Sequence, residues 1–403
     1  MDGNLPNRQG ALSGLRVLDL TRVLAGPLCA MTLGDMGADV LKVEQPGKGD
    51  DTRSWGPPFQ GTEAAYYLGV NRNKRGITLN MKDPRGQTIL RELIKKSDVV
   101  IENFKFGTMG EWGCGPDFMR EQAPQVIHCT ISGYGSRGPK GAQPGYDFLL
   151  QAESGLMSIS GEKDGEPMKL GVAIVDLCTG MYATIAILAA LNARNHGMPG
   201  QHVEVSLFST GLSLLANVAS NALVSGKPAG RYGNGHPNIV PYRSFRCSDA
   251  SIALAVGNDA QFTQFAKVVG HPEWPADPRF ARNRDRVVNR AACDGVIEKT
   301  LIQRPAAEWV EKLMAVGVPC TRINTVQQAL EDPQTAALDM VVDIQHATAG
   351  LFRSLGLPMS FSCTPGVVRN PPPLLGEHTD AVLKEVLGLG EKEIQELRAA
   401  QVI

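Results

Sequence analysis

The strongest constraint on this chain is an alternation. Short β-branched apolar runs at Arg16 to Leu20, Val40 to Val43, Val99 to Glu102 and Val126 to Ile131 are separated by helix-periodic stretches at Pro27 to Met36, Pro84 to Lys96 and Pro116 to Gln122. Strands joined through helices return parallel to one another, so the order predicts an α/β fold whose parallel sheet is covered on both faces. Pro84 and Pro116 mark helix starts, where a missing N–H costs nothing. A longer apolar helix is expected from Asp176 to Asn195, ending at His196-Gly197, then a strand at Val203 to Ser206 and a helix to about Ser225. Residues 1–225 therefore read as a large α/β unit. Residues 226–243, which contain GKPAGRYGNGHPNIVPY, read as a linker and functional loop dense in Gly and Pro. Residues 244–324 then predict a smaller α+β unit, with a strand at Ile252 to Val256 and helices at Ala260 to Val269, Arg282 to Gln303 and Ala306 to Val316. Residues 325–403 return to mixed elements and finish with two helices from Thr379.

Charge narrows the partners. Forty Lys and Arg stand against forty-one Asp and Glu, a formal charge of -1, so no global basic field exists to hold nucleic acid or a membrane surface. Any anion must be met locally. Eight cysteines are scattered without a CxxC pair or companion histidines at ligand spacing, which predicts reduced thiols and no metal site. The first twenty residues carry no basic-plus-apolar leader pattern, and the longest nearly apolar stretch, Tyr182 to Leu191, is about half of what a bilayer needs. A cytoplasmic location is the expectation.

Most catalytic motifs fail. Gly133 to Gly138 matches G-x-G-x-x-G after a strand, but Pro139, Gly141 and Pro144 forbid the helix that must follow a dinucleotide fingerprint. No nucleophile elbow, Walker loop or HExxH occurs. Asp176 stands out, because it follows the apolar run Gly171 to Val175 and begins the long helix. That places its carboxylate at an expected strand-to-helix junction, either as an N-cap or as a nucleophile kept ionised by the helix N-terminus. A carboxylate nucleophile suits acyl transfer between acids, since it forms a mixed anhydride from a thioester.

At these residues the chain resembles the family III CoA-transferases, of the formyl-CoA and carnitine CoA-transferase type. The resemblance is carried by LSGLRVLDLTRVLAGP (12–27), GADVLKVEQPGKGD (37–50), NRNKRGITLNMK (71–82), VIENF (100–104) and GVAIVDLCTGMY (171–182). It implies a Rossmann-like large domain built from both chain ends, with 325–403 rejoining it, a smaller inserted α+β domain, and an interlocked homodimer. It also implies Asp176 as the catalytic aspartate, coenzyme A thioesters as substrates, and no tightly bound cofactor. The CoA-contacting positions would be Leu24, Ala25, Leu79, Lys82, Asn103, Phe104, Lys105 and Tyr146. Leu24 replaces the glutamine of formyl-CoA transferases, and Gln45 and Glu111 replace two arginines, which argues against formyl and oxalyl transfer.

Within the family, WGPPFQGTEAAYYL (55–68), VNRNKR (70–75), NGHPNIVPY (234–242) and PPPLLGEHT (371–379) resemble the succinyl-CoA:glutarate group, with blocks shared by itaconate-, mesaconate- and citramalate-type transferases. A dicarboxylate tail needs a fixed partner, and Arg72, His236 and Gly235 in these blocks, with Arg53 just ahead of the first, are the candidates. Each has a structural alternative, the arginines as ion-pair partners and His236 as a turn former before Pro237. Two rival functions share the fold. An α-methylacyl-CoA racemase needs a histidine where Gly145-Tyr146-Asp147 has tyrosine, and a phenol is a poor proton shuttle at neutral pH. A non-catalytic acyl-CoA-binding protein would not require Asp176.

Overall fold

The computed structural model describes residues 10–141 and 143–403. Residues 1–9, on which the expected lack of a leader partly rests, lie outside the described residues. The chain divides into two compact units. Among the described residues, the large unit comprises 10–154, 171–214 and 333–403, and the smaller comprises 155–170 and 215–332. The sequence expectation put these divisions near 225 and 325 and gave 155–170 to the large unit. Helix continuity hid the first: the run to Ser225 is broken into Leu207–Ser213 and Ala216–Ser225, and Ala216 has φ 44°.

In the large unit, strands β1 (Arg16–Asp19), β2 (Asp39–Glu44), β3 (Lys74–Thr78), β4 (Val99–Glu102), β5 (Ile127–Ser132) and β6 (His202–Ser206) form a parallel sheet in the order β3-β2-β1-β4-β5-β6. This is the doubly wound order 3-2-1-4-5-6, whose direction reverses between β1 and β4. Strand alternation sorts the faces. Leu18, Leu41, Val43, Ile77 and Val100 pack into one core with α2 (Pro84–Lys95), α3 (Pro116–Gln122), and the late helices α12 (Thr379–Leu387) and α13 (Glu391–Ala399). Val402 and Ile403 are buried in the same core.

The alternate positions Asp19, Lys42 and Lys74 are fully buried and charged. Lys74 Nζ lies 2.9 Å from Asp19 and also donates to Pro27 O of α1 (Ala25–Asp35), while Lys42 Nζ pairs with Asp50 at 3.0 Å. Burial pushes Lys74 down to about 8, whereas the carboxylates Asp19 and Asp50 hold Lys42 above the ordinary lysine value against the same desolvation. Burying these charges is tolerable only because each is paired and hydrogen-bonded.

Across from this cluster, α1 packs on α5 (Ile174–Asn195). A Cβ at Gly180 of α5 would lie 2.5 Å from Ala25 O, so the two helices cross at backbone distance. Helix α5 exceeds the apolar stretch expected from sequence: its 22 residues are long and apolar enough, by length and composition, to cross a membrane. Its inner face, including Val175, Thr179, Gly180, Ala183 and Ile187, is buried in the unit. The run Gly171 to Val175 is not a strand; helix begins at Ile174, so Asp176 lies inside the first turn and is not the N-cap.

The smaller unit has an antiparallel sheet of β7 (Tyr242–Arg246), β8 (Ser251–Ala255) and β9 (Cys320–Arg322), with β8 central. Helices α8 (Asp259–Val268), α9 (Asn283–Val288), α10 (Arg290–Leu301) and α11 (Ala306–Met314), numbered after α4 (Asp147–Glu153), α6 (Leu207–Ser213) and α7 (Ala216–Ser225), enclose its core. Arg282 to Gln303, expected as one helix, is interrupted at Asn289.

Candidate active site

In an open parallel sheet, the crevice beyond the strand C-termini at the point of reversal is the natural binding place. Here a cavity of about 490 Å³ opens between the loops after β1 and β4. Its walls include Leu24, Ala25, Asn103, Phe104, Lys105, Tyr146 and Asp176. Seven expected site residues, from four separate stretches of the sequence, thus meet in one place. A neighbouring cleft of about 390 Å³ contains Leu79 and Lys82 and shares Arg22, Phe104 and Lys105 with the first. Among the described residues, the Lys82 and Lys105 ammonium groups have no ion-pair partner. Gln45 and Lys48 also line the cleft, but Lys48 is tied to Asp51 at 2.8 Å.

The loop Thr21–Leu24 is held rigidly. Val23 has φ 73°, a costly conformation for a β-branched residue, and its N–H points at both carboxylate oxygens of buried Asp50 at 3.3 Å. Asn103 clasps the next residue from the other side, accepting from Arg22 N at 3.0 Å and donating to Arg22 O at 2.8 Å. Its amide therefore shapes the cavity before it meets any ligand. Phe104 stands edge-on to Trp112 with centroids 5.1 Å apart, and Glu102 accepts its N–H at 2.8 Å. Tyr146 is two-thirds exposed at the cavity wall.

Asp176 occupies the third position of α5. Burial, and then the negative charge of Asp147, raise its carboxyl to about 7. Desolvation and a like charge thus work against the expectation that the helix N-terminus keeps it fully ionised, and the carboxyl sits near the midpoint of its titration at neutral pH. Tyr66, which sequence reasoning passed over, senses the same carboxylates: burial first, then Asp176, Asp147 and Asp50, raise its phenol above the ordinary value, so it remains a proton donor at neutral pH.

Neither Arg53 nor Arg72 lines the cavity with Asp176. Arg72 is buried, bonds Asp35 with Nη2 at 2.7 Å and Nε at 3.0 Å, and also donates to the Leu355 carbonyl. Arg53 donates to Glu44 through Nε and Nη2, each at 2.8 Å, and to Tyr67 Oη at 2.6 Å, while Nη1 lies 3.6 Å from Glu63. Both guanidinium groups are used within the fold, where each neutralises a buried carboxylate.

His236 and Gly235 belong to the smaller unit. His236 Nδ1 accepts the Asn238 N–H at 3.1 Å, which leaves the proton of the neutral ring on Nε2 as a donor. Arg290 binds the carbonyls of His236 at 2.8 Å and Pro237 at 3.0 Å, and Asn283 and Arg286 bind those of Asn238 and Val240. Spacing of three, then four residues sets these donors along one side of α9 and α10. The loop is ordered from there, and Gly235 lines a cavity of about 580 Å³ within the unit.

Similarity to known proteins agrees with this geometry. A model described as CoA-transferase family III matches residues 12–379. The human succinyl-CoA:glutarate CoA-transferase is 41% identical over 392 residues, 97% of this chain and 90% of that protein. The succinate–glutarate CoA-transferase of Agrobacterium fabrum is 40% identical over 389 residues, covering 95% and 97% of the two chains. The crystal structure of a CAIB/BAIF family protein from Brucella suis matches with a TM-score of 0.83 at 41% identity, over 94% of this chain and 100% of that one.

Proposed function

This chain belongs to CoA-transferase family III, and from that premise we propose that it moves coenzyme A from succinyl-CoA to a small dicarboxylic acid, glutarate or an itaconate- or citramalate-like acid. The observation that carries the reading is the convergence of Asp176 with Leu24, Ala25, Asn103, Phe104, Lys105 and Tyr146 on one cavity. Lys82 and Lys105, which have no ion-pair partner among the described residues, are the groups assigned to the phosphates of the nucleotide end, in a cleft where Gln45 supplies no positive charge.

Asp176 carboxylate attacks the succinyl carbonyl carbon and expels CoA thiolate, giving an aspartyl–succinyl anhydride. The thiolate attacks the aspartyl carbonyl, releases succinate and leaves an aspartyl-CoA thioester. The acceptor carboxylate then displaces the thiolate to form a second anhydride, and thiolate attack on its acceptor-derived carbonyl frees the new thioester and Asp176. No net proton is consumed. Developing oxyanion charge lies beside Leu24–Ala25, where α1 begins and its first-turn N–H groups give the site a positive end.

The enzyme is proposed to act in the cytoplasm as an interlocked homodimer, with no tightly bound cofactor. All eight cysteines are unpaired, as a reducing compartment requires. Met181, Tyr182 and Ile185 give α5 an exposed apolar strip suited to a second copy.

Incubating the protein with succinyl-CoA and each candidate acid, and following CoA exchange by mass spectrometry, tests the reading. Glutarate or a five-carbon relative should become a CoA ester in the wild type, and Asp176→Asn should lower the rate by at least about a thousandfold. Preference for monocarboxylates would overturn the substrate assignment; an active, undeamidated Asn variant would overturn the nucleophile.

A further inference from the structure

Helix α5 lacks a cap of its own. Its N-cap position is Ala173, which has no side-chain acceptor for the first-turn N–H groups. The acceptor comes from another helix. Asp147, the first residue of α4, receives the Val175 N–H at 2.8 Å and the Asp176 N–H at 3.2 Å on Oδ1, while its Oδ2 receives the Gln151 amide at 2.6 Å. One carboxylate therefore holds the backbone of the reacting residue and is itself steadied one turn along α4.

We propose that Asp147 is a positioning residue for Asp176, a cap supplied across helices that fixes where the nucleophile projects and sets a second negative charge beside it. The inference rests on the nucleophile assignment above. Asp147 is absent from the residues lining the cavity, although its neighbour Tyr146 lines it, so it acts through Asp176 and not on substrate. Both effects favour the forward step. A fixed helix start restricts the search of the carboxylate for the acyl carbon. A neighbouring anion raises the energy of ionised Asp176, and that repulsion disappears when the carboxylate becomes an anhydride or thioester.

Asp147 on α4 and Tyr66 are the titratable groups that sense Asp176, and Arg22, Asp51 and Lys105 line the same cavity. Of the other charged groups, only Asp147 raises its carboxyl, after burial.

Two variants separate the parts. Asp147→Asn keeps an acceptor and removes the charge, so the acid limb of kcat/KM, expected near pH 7 in the wild type, should move to lower pH. A purely structural cap would leave that limb in place. Asp147→Ala removes the acceptor as well, and kcat should fall about ten- to a hundredfold with KM for the CoA ester within about twofold. If the Ala variant does not fold, the pH profile of the Asn variant decides alone.

Borohydride reduction during turnover, followed by peptide mapping, should find modified Asp176 in the wild type. Absence of that modification overturns the nucleophile reading. Its presence, with an unmoved acid limb in the Asn variant, overturns the role of Asp147.

Discussion

Asp176 carries a stability cost that its chemistry explains. In the fold its carboxyl titrates at about 7 against an ordinary value of 3.8, so the native state favours the protonated form. The unfolded chain releases that proton near pH 4 and the native chain near pH 7. Stability contributed by the protonated group is therefore full below about pH 4, lost as pH rises, and gone above pH 7. Asp176→Asn should melt higher than the wild type at pH 8, by a free energy on the order of 2–4 kcal/mol, with the difference vanishing toward pH 4. Thermal scans across that range check it; equal melting temperatures at pH 8 would contradict the raised value. Other residue roles were only half legible. Arg53 and Arg72 were readable as candidates, but their partners Glu44 and Asp35 become visible only once the fold brings them together. Asp147 carries no legible signal, because the helix start it caps is distant in the chain and only the fold brings the two together.

Elements rich in apolar alternation were legible, and those whose charges find distant partners were not. Strand β3, with sequence KRGIT, carries no β pattern at its start, because the buried charge of Lys74 finds its counter-charge in Asp19 of β1, far away in the chain. Conversely, Gly171 to Val175 had strand composition but starts a helix: no strand lies beside it, and Asp147 supplies the missing cap. The crossing of α1 and α5 is the element-level contact closest to the chemistry. Gly180→Ala would press a methyl group to 2.5 Å from Ala25 O and 3.4 Å from Leu28. Overpacking of this kind costs about 1–3 kcal/mol, partly offset by the better helix propensity of alanine. The urea midpoint should fall and kcat with it, since the displaced α1 forms the Leu24–Ala25 wall. A variant with unchanged midpoint and kcat would show that the crossing has slack.

At the scale of the molecule, the α/β class and the return of the last segment were legible from alternation and family resemblance, whereas the division at 214/215 was not. The proposed interlocking makes a thermodynamic prediction. Threaded subunits cannot part without opening one chain, so dissociation and unfolding should coincide in urea and shift together with protein concentration. Sedimentation that finds a folded monomer at low concentration would rule the interlocked dimer out.

The contacts of the C-terminal segment also set an order of events during synthesis. Strand β3 lies at the sheet edge, and Asn73, Gly76 and Asn80 on and beside it wait for Asn370, His378 and Val402, whose codons are translated roughly 300 residues later. At ribosomal speeds of about 5–20 residues per second, an apolar sheet face stays uncovered for some fifteen seconds or more. A chain cut short before α12 would keep that apolar face uncovered, so it should aggregate at concentrations where the full-length protein stays in solution.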